Sequence, residues 1–122
     1  MPTRDVNLRI FDVWHAACRI LEYTADIDKE TLRNSPMRTD AVLHNMEIIG
    51  EAAKHLPPEI QARYASVDWA NARAMRNVLA HGYDAVSFEI LWRTLQQDIP
   101  PLEADLREDA KHFEEQGRWG KD

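Results

Sequence analysis

The sequence predicts an all-α protein, built as an antiparallel four- to five-helix up-and-down bundle. Apolar residues recur every three or four positions through most of the chain, which is the spacing of one buried helix face. No segment of strand length alternates apolar and polar residues with a period of two. The four glycines and six prolines fall mostly between the periodic segments. These residues mark short connections between helices, and helices joined by short connections pack as an antiparallel bundle.

The first helix is predicted from an apolar stripe and the second from a cap. We expect a helix from about Asp5 to Asp26. Its near-continuous apolar stripe consists of Ile10, Val13, Trp14, Ala17, Cys18, Leu21 and Tyr23. Asp28 is a good N-cap residue, so a short turn of helix is expected to follow it.

The middle of the chain predicts one long helix and one brief helix. The long helix is expected to begin at Thr39 or Asp40 and to stop at Leu56, because two prolines follow and cannot continue it. Its apolar residues have the spacing of a buried seam: Val42, Met46, Ile49, Ala53 and Leu56. A brief helix over Pro58–Tyr64 comes next.

Three more helices complete the predicted bundle. Asp68 is the expected N-cap of a helix over Trp69–His81. Ser87 is expected to cap a helix over Phe88–Ile99, and a last helix is expected to follow two prolines and to continue toward Glu115.

Length and composition predict a single domain over residues 1–122, since 122 residues are too few for two cores of normal size. The single cysteine, Cys18, cannot form an internal disulfide. No charged-then-apolar leader opens the sequence, and no apolar run approaches the roughly 20 residues that span a bilayer. We therefore expect a soluble cytoplasmic protein that does not associate with a membrane.

The net charge of −6 argues against a broad nucleic-acid footprint, because unspecific binding depends on many Lys and Arg contacts to phosphates. A small catalytic cleft is still compatible with it. Residues 1–83 carry 11 acids against 10 bases, whereas residues 84–122 carry 10 acids against 5 bases. The acidic C-terminal helix is interpreted as a solvated face, and the alternative is a docking surface for a basic partner.

The segment 76–83 combines a permanent cation, an amide, an imidazole and a phenol. Arg76 offers a planar fork of donors that suits phosphate oxygens, and His81 can exchange a proton near neutral pH. Asn77 and His81 are four residues apart and share a helix face. Gly82 suits the C′ position that ends a helix, which places Tyr83 on the following loop. These groups indicate phosphodiester chemistry.

The same segment has a purely structural interpretation. Arg76 would then pair with a buried acid, His81 would cap helix carbonyls, and Tyr83 would pack against the bundle with its hydroxyl bonded to a partner. Spacing alone does not decide between the two interpretations.

Gly50 and Glu51 lie on the predicted middle helix and need an explanation. Glycine within a helix costs about 1 kcal/mol against alanine, so we interpret Gly50 as a point where another helix approaches closely. Glu51 is expected either to orient the guanidinium of Arg76 by an ion pair or to pair with His55, four residues on. Both interpretations of Glu51 remain open at this stage.

A stripe of possible metal ligands also lies on the middle helix, formed by His44, Glu47, Glu51 and His55. A site of this kind has to be completed from a facing helix, and no matching Glu-x-x-His pattern occurs elsewhere. We therefore predict no metal and no other cofactor.

The motif and its surroundings resemble a known family. Segment 76–83 resembles the R-x4-H-x-Y signature of the HEPN superfamily, and more closely that of its HepT-like branch. Residues 44–54 resemble the I-I-G-E-A helix of that family, and Trp69 precedes the motif at the expected distance. Residues 92–102 resemble its closing W-x5-D-(I/L)-P-x-L segment. The resemblance covers nearly the whole chain.

This resemblance implies a function for each motif residue. It implies that Arg76 and His81 are the catalytic pair of a metal-independent endoribonuclease, with Asn77 as the polar residue after the arginine. It implies that Tyr83 receives nucleotide from a partner, a minimal nucleotidyltransferase antitoxin. The protein would then be the toxin of a type VII-like two-gene toxin–antitoxin system, and it would form a homodimer.

The chemistry that suits these groups is transesterification within RNA. His81, alone or assisted by Asn77, would take the proton of a 2′-hydroxyl that attacks the adjacent phosphorus, and Arg76 would stabilise the growing charge. A symmetric dimer would supply both a base and an acid. The alternative is a non-catalytic module that binds nucleotide or the nucleotidyltransferase and acts through complex formation.

Overall fold

The structure is a computed structural model that describes residues 3–76 and 85–115. Over these residues it contains seven helices and no strand. Four helices are long: α1 (Thr3–Thr24), α3 (Pro36–Lys54), α6 (Ala85–Gln97) and α7 (Ile99–Glu115). Three are short: α2 (Lys29–Arg33), α4 (Pro58–Arg63) and α5 (Trp69–Ala74). The predicted all-α class is confirmed.

The long helix α1 lies at the centre of the bundle and packs against α3 and α7. α6 packs against α7, while α2 and α5 pack against α3. The buried side chains form one apolar cluster to which both the N-terminal and the C-terminal helices contribute. Its largest fully buried members are Val13, Ile20, Leu32, Val42, Met46, Ile49, Leu91, Ile99, Leu102 and Leu106. The predicted seam of the middle helix is buried as expected.

Two predicted caps are confirmed by hydrogen bonds. The Asp28 carboxylate accepts from the Thr31 N–H at 2.8 Å and starts α2. The Asp68 carboxylate accepts from the Asn71 N–H at 3.1 Å and starts α5. Each bond satisfies a backbone donor that the first helical turn leaves without a partner.

The predicted bounds of the middle helix are wrong at both ends. α3 begins at Pro36 rather than at Thr39 or Asp40, because Ser35 caps it and a proline is well accommodated in the first turn. The Thr39 hydroxyl is buried and instead donates to the Leu32 carbonyl at 2.8 Å, which ties α3 to α2. α3 ends at Lys54, before Leu56, because a residue that precedes a proline is disfavoured in helical conformation.

The later helices differ from prediction in three places. The helix that Asp68 caps ends at Ala74, where the Met75 N–H bonds to the Ala72 carbonyl three residues back and tightens the last turn, and the rest of the predicted helix, from Asn77 to His81, lies outside the described residues. α6 begins at Ala85, a strong helix former, so Ser87 is not its N-cap. α7 begins at Ile99, before the two prolines rather than after them. Proline is tolerated in the first turn because the N–H groups there form no hydrogen bond within the helix.

α1 also starts and stops two residues earlier than predicted, at Thr3 and Thr24. The Thr24 hydroxyl donates to the Ile20 carbonyl at 2.9 Å in the final turn. Across the described residues, no helix combines the length and the apolar composition needed to cross a membrane.

Candidate functional site

The position of Arg76 is set by the anchoring of α5. Trp69, the first residue of α5, is buried, and its indole N–H donates to the carbonyl oxygens of Gln61 at 3.0 Å and Tyr64 at 3.2 Å. The Tyr64 hydroxyl in turn donates to the Asp109 carboxylate of α7 at 2.5 Å. α5 is therefore fixed at its start to both α4 and α7, and its far end carries Arg76 onto α3.

Gly50 is the contact point between α3 and the end of α5. A Cβ at this position would lie 3.0 Å from the Arg76 backbone nitrogen, 3.1 Å from the Arg76 Cβ and 3.2 Å from the Arg73 carbonyl oxygen. Distances this short leave no room for a side chain without displacing backbone. The prediction that another element approaches closely at Gly50 is confirmed.

Glu51 makes both contacts that the sequence left open. One carboxylate oxygen, Oε1, accepts from Nη1 of Arg76 at 2.9 Å, and the other, Oε2, lies 3.3 Å from Nε2 of His55. The Arg76 and Glu51 side chains are 43% and 46% exposed. The guanidinium is therefore held on one edge and open to solvent on the other, where it can meet a ligand.

The charge of Glu51 is maintained by its surroundings. The hydrogen bond with His55, followed by the positive charges on Lys54 and Arg76, lowers the pKa of the Glu51 carboxyl. A carboxylate that stays ionised keeps Arg76 in one orientation. Glu51 therefore provides a permanent negative charge beside the Arg76 guanidinium.

Arg73 and Gln61 form a second polar contact one turn before Arg76. Nη1 of Arg73 donates to the side-chain oxygen of Gln61 at 3.1 Å, and the Gln61 amide nitrogen donates to the Leu56 carbonyl at 2.9 Å. This pair was not predicted from the sequence. The sequence carried no signal for it, because both side chains are ordinary on a helix surface.

The remaining motif residues predicted for the site, Asn77, His81, Gly82 and Tyr83, lie outside the described residues. Of the predicted set, the structure brings together Gly50, Glu51 and Arg76.

Of the stripe of His and Glu residues on α3, Glu51 and His55 bond to each other. His55 is engaged by Glu51, whereas His44 and Glu47 are exposed. Over the described part of the chain, no three or more His, Cys, Asp or Glu side chains come close enough together to hold a metal ion.

Cys18 lies half-buried on α1 and packs against the apolar core. Burial, and after it the charge on Glu103, raises the pKa of the Cys18 thiol to about 11. A thiol that stays protonated at neutral pH is a poor nucleophile, which agrees with the place of Cys18 on the apolar stripe predicted for the first helix.

The fold and this site define a class of small helical proteins in which a helix end presents an oriented, half-exposed arginine. The chain belongs to the HepT-like ribonuclease family, because the family model described as "Ribonuclease HepT-like" matches residues 14–108. The family resemblance predicted from segment 76–83 and its surroundings is confirmed.

Curated relatives agree with this assignment. A protein of Methanocaldococcus jannaschii named "Putative RNase" is 30% identical over 106 residues, which cover 87% of this chain and 97% of the relative. A protein of Caldanaerobacter subterraneus subsp. tengcongensis with the same type of name is 36% identical over 73% of this chain and 80% of its own length. The "Probable ribonuclease HepT" of Thermococcus cleftensis is 34% identical over 75% and 83%. No solved structure matches the chain significantly.

Proposed function

We propose that this protein is a toxin of a two-gene toxin–antitoxin system and that it acts as a metal-independent endoribonuclease in the cytoplasm. The observation that carries the proposal is the ion pair of Arg76 with Glu51 at 2.9 Å, which orients a half-exposed guanidinium at the start of the motif. Membership of the HepT-like family and the ribonuclease names of its relatives support RNA as the substrate.

The proposed reaction is an internal transesterification of RNA. His81, assisted by Asn77, takes the proton of the 2′-hydroxyl, the 2′-oxygen bonds to phosphorus, and the bond from phosphorus to the 5′-oxygen breaks. A second acid gives a proton to the leaving 5′-oxygen. Arg76 stabilises the negative charge that grows on the phosphoryl oxygens. The products are a 2′,3′-cyclic phosphate and a 5′-hydroxyl.

A homodimer supplies the second acid in this proposal. One chain carries one copy of the motif, whereas the reaction uses a base and an acid on opposite sides of the phosphate. A two-fold interface that brings two motifs together provides both from the same sequence. Mixing inactive Arg76→Ala protein with inactive His81→Ala protein and recovering activity would support a shared site.

Control of the toxin is proposed to occur at Tyr83. A minimal nucleotidyltransferase antitoxin would attach nucleotide to the phenol oxygen, which would bring phosphate and bulk beside Arg76. Tyr83→Phe protein, co-expressed with the nucleotidyltransferase, is expected to keep its toxicity and to show no added nucleotide in its intact mass. Neutralisation with added mass would place the acceptor at another residue.

Cleavage by purified, unmodified protein tests the proposal. We expect cleavage of RNA that is lost in Arg76→Ala and in His81→Ala while the circular dichroism spectrum is unchanged. Arg38→Ala is a matched control: Arg38 is exposed on the same helix as Glu51, and 13 residues at 1.5 Å per residue put it about 20 Å away. Equal cleavage by all four proteins would refute the assignment of the pair.

A second candidate is a binding module without catalytic activity. The feature that favours it is Glu51, whose carboxylate already occupies one edge of Arg76 in a chain of net charge −6. In that case Arg76, His81 and Tyr83 bind nucleotide or the nucleotidyltransferase, and the toxic effect follows from the complex. Toxicity that persists in Arg76→Ala protein with no cleavage by the wild type would select this candidate.

A further inference from the structure

Arg73 lies on α5 three residues before Arg76, which follows the end of that helix, and the backbones of both residues meet α3 at Gly50. The carbonyl oxygen of Arg73 and the backbone nitrogen of Arg76 both lie within 3.2 Å of the position that a Cβ on Gly50 would take. The two guanidinium groups therefore start from neighbouring points of one surface.

The two arginines differ in the charge of the group that holds them. Arg76 is held by the carboxylate of Glu51, whereas Arg73 is held by the neutral amide oxygen of Gln61 at 3.1 Å. The Gln61 amide is fixed by its own bond to the Leu56 carbonyl at 2.9 Å. Among the described residues Arg73 forms no ion pair with a carboxylate, so this contact orients the guanidinium without neutralising it, as a site for an anion requires.

Lys54 adds a third cation to the same surface. It is exposed at the last residue of α3, three residues after Glu51, so the two side chains leave the same face of that helix. Lys54 and Arg76 thus flank the Glu51 carboxylate, while Arg73 reaches Gln61, whose amide is bonded to the Leu56 carbonyl two residues after Lys54, in a chain whose net charge is −6. A local cationic surface in an acidic protein indicates a specific anionic ligand.

We infer that Arg73 and Lys54 form a second phosphate-binding subsite, which holds the RNA phosphate next to the one at Arg76. The inference rests on the proposed function, since it takes the ligand of Arg76 to be an RNA strand. Two guanidinium groups one turn apart suit two successive phosphates of one strand, and a subsite beyond the reacting phosphate fixes the strand in register. The subsite reads the backbone, so it gives affinity without sequence preference.

The experiment uses a strand that cannot be cleaved. A single-stranded oligouridine with 2′-O-methyl groups throughout lacks the nucleophile but keeps every phosphate. Its affinity is measured by fluorescence anisotropy over a range of NaCl concentrations for the wild type, Arg73→Gln, Arg73→Lys, Lys54→Gln and the control Arg38→Gln. Each lost phosphate contact reduces the slope of log affinity against log salt by about 0.7 for a single strand.

We expect Arg73→Gln and Lys54→Gln each to lower the salt slope by about one contact and to weaken binding about 3- to 10-fold at low salt. Arg73→Lys keeps the charge and is expected to retain most of the slope. The inference is overturned if both Gln variants bind the strand as Arg38→Gln does, or if the wild type does not bind the strand. It is also overturned if the Gln variants bind the nucleotidyltransferase more weakly than the wild type does but bind the strand equally well. Binding that depends on Arg73 in a protein that cleaves no RNA would leave this inference standing and refute the nuclease proposal.

Discussion

Gly50 of α3 lies directly against the backbone of Arg76, so that a Cβ on Gly50 would lie 3.0 Å from the Arg76 nitrogen. The next residue of α3, Glu51, binds the side chain of the same arginine at 2.9 Å. Two successive residues therefore determine where the Arg76 backbone lies and where its guanidinium points. This arrangement explains why position 50 is glycine, although alanine has the higher helix propensity.

Gly50→Ala is expected to destabilise the protein by about 1 kcal/mol, because the overpacking cost of roughly 1–3 kcal/mol exceeds the helix-propensity gain of about 1 kcal/mol. Urea unfolding would show a lower midpoint with an unchanged slope. The displaced Arg76 backbone should also weaken RNA binding. An alanine variant more stable than the wild type would show that the contact has room to spare.

Glu51→Ala is expected to lower the rate of RNA cleavage between about 10-fold and 100-fold, since Arg76 loses the partner that orients it. RNA affinity should be unchanged or higher, because a negative charge is removed from the site. Single-turnover cleavage and binding of uncleavable RNA separate the two effects. Glu47→Ala, an exposed glutamate one turn earlier on α3, is the matched control and should match the wild type. A parallel loss of affinity and rate would mean that Glu51 supports the fold rather than Arg76.

Tyr64→Phe is expected to lower the free energy of unfolding by about 1 kcal/mol, since the hydroxyl bond to Asp109 is lost. Burial, and then the bond to Asp109, raises the pKa of Tyr64 to about 12. The raised pKa means that the neutral phenol contributes stability below its ordinary pKa of 10.0 and that this contribution is lost as the pH rises toward 12. Chemical denaturation at pH 8 and pH 11 should show that Tyr64→Phe loses less stability over this interval than Tyr23→Phe does.

Cys18 is expected to react with thiol reagents at pH 8 at least about 10-fold more slowly than free cysteine, because a pKa raised to about 11 leaves little thiolate. Unfolding in urea should remove the difference. The absorbance of the leaving group that the reagent releases measures the rates for the folded and the unfolded protein. Fast reaction of the folded protein would contradict the packing of Cys18 against the core.

Much of the fold could be predicted from local signals. Apolar periodicity identified the helices, and Asp28 and Asp68 marked two helix starts, because a side-chain cap depends only on neighbouring residues. Ser87 was misread because serine also occurs inside a first turn. Thr39 was misread as a helix start because its hydroxyl bonds to the Leu32 carbonyl of α2, whereas Ser35 before Pro36 was a local signal that went unused. Helix ends that are set by tertiary contacts cannot be predicted from the neighbouring residues alone.

Parts of the site could be predicted where the sequence has a residue that is unfavourable in a helix. Gly50 pointed to a close contact because glycine is costly in a helix, and the structure places the backbone of Arg76 there. The contact of Arg73 with Gln61 could not be predicted, since it depends on how α4 lies against α5, and both side chains are ordinary on a helix surface.

The most direct test of the central claim is the chemistry of the RNA ends formed by unmodified protein in the presence of EDTA. Because Arg76 and His81 are proposed to act on the RNA's own 2′-hydroxyl, we predict fragments that end in a 2′,3′-cyclic phosphate and begin with a 5′-hydroxyl, identified by mass spectrometry. The rate should not change with EDTA, and a DNA strand of the same sequence should stay intact. Fragments with 5′-phosphate ends, or cleavage that EDTA abolishes, would contradict the account.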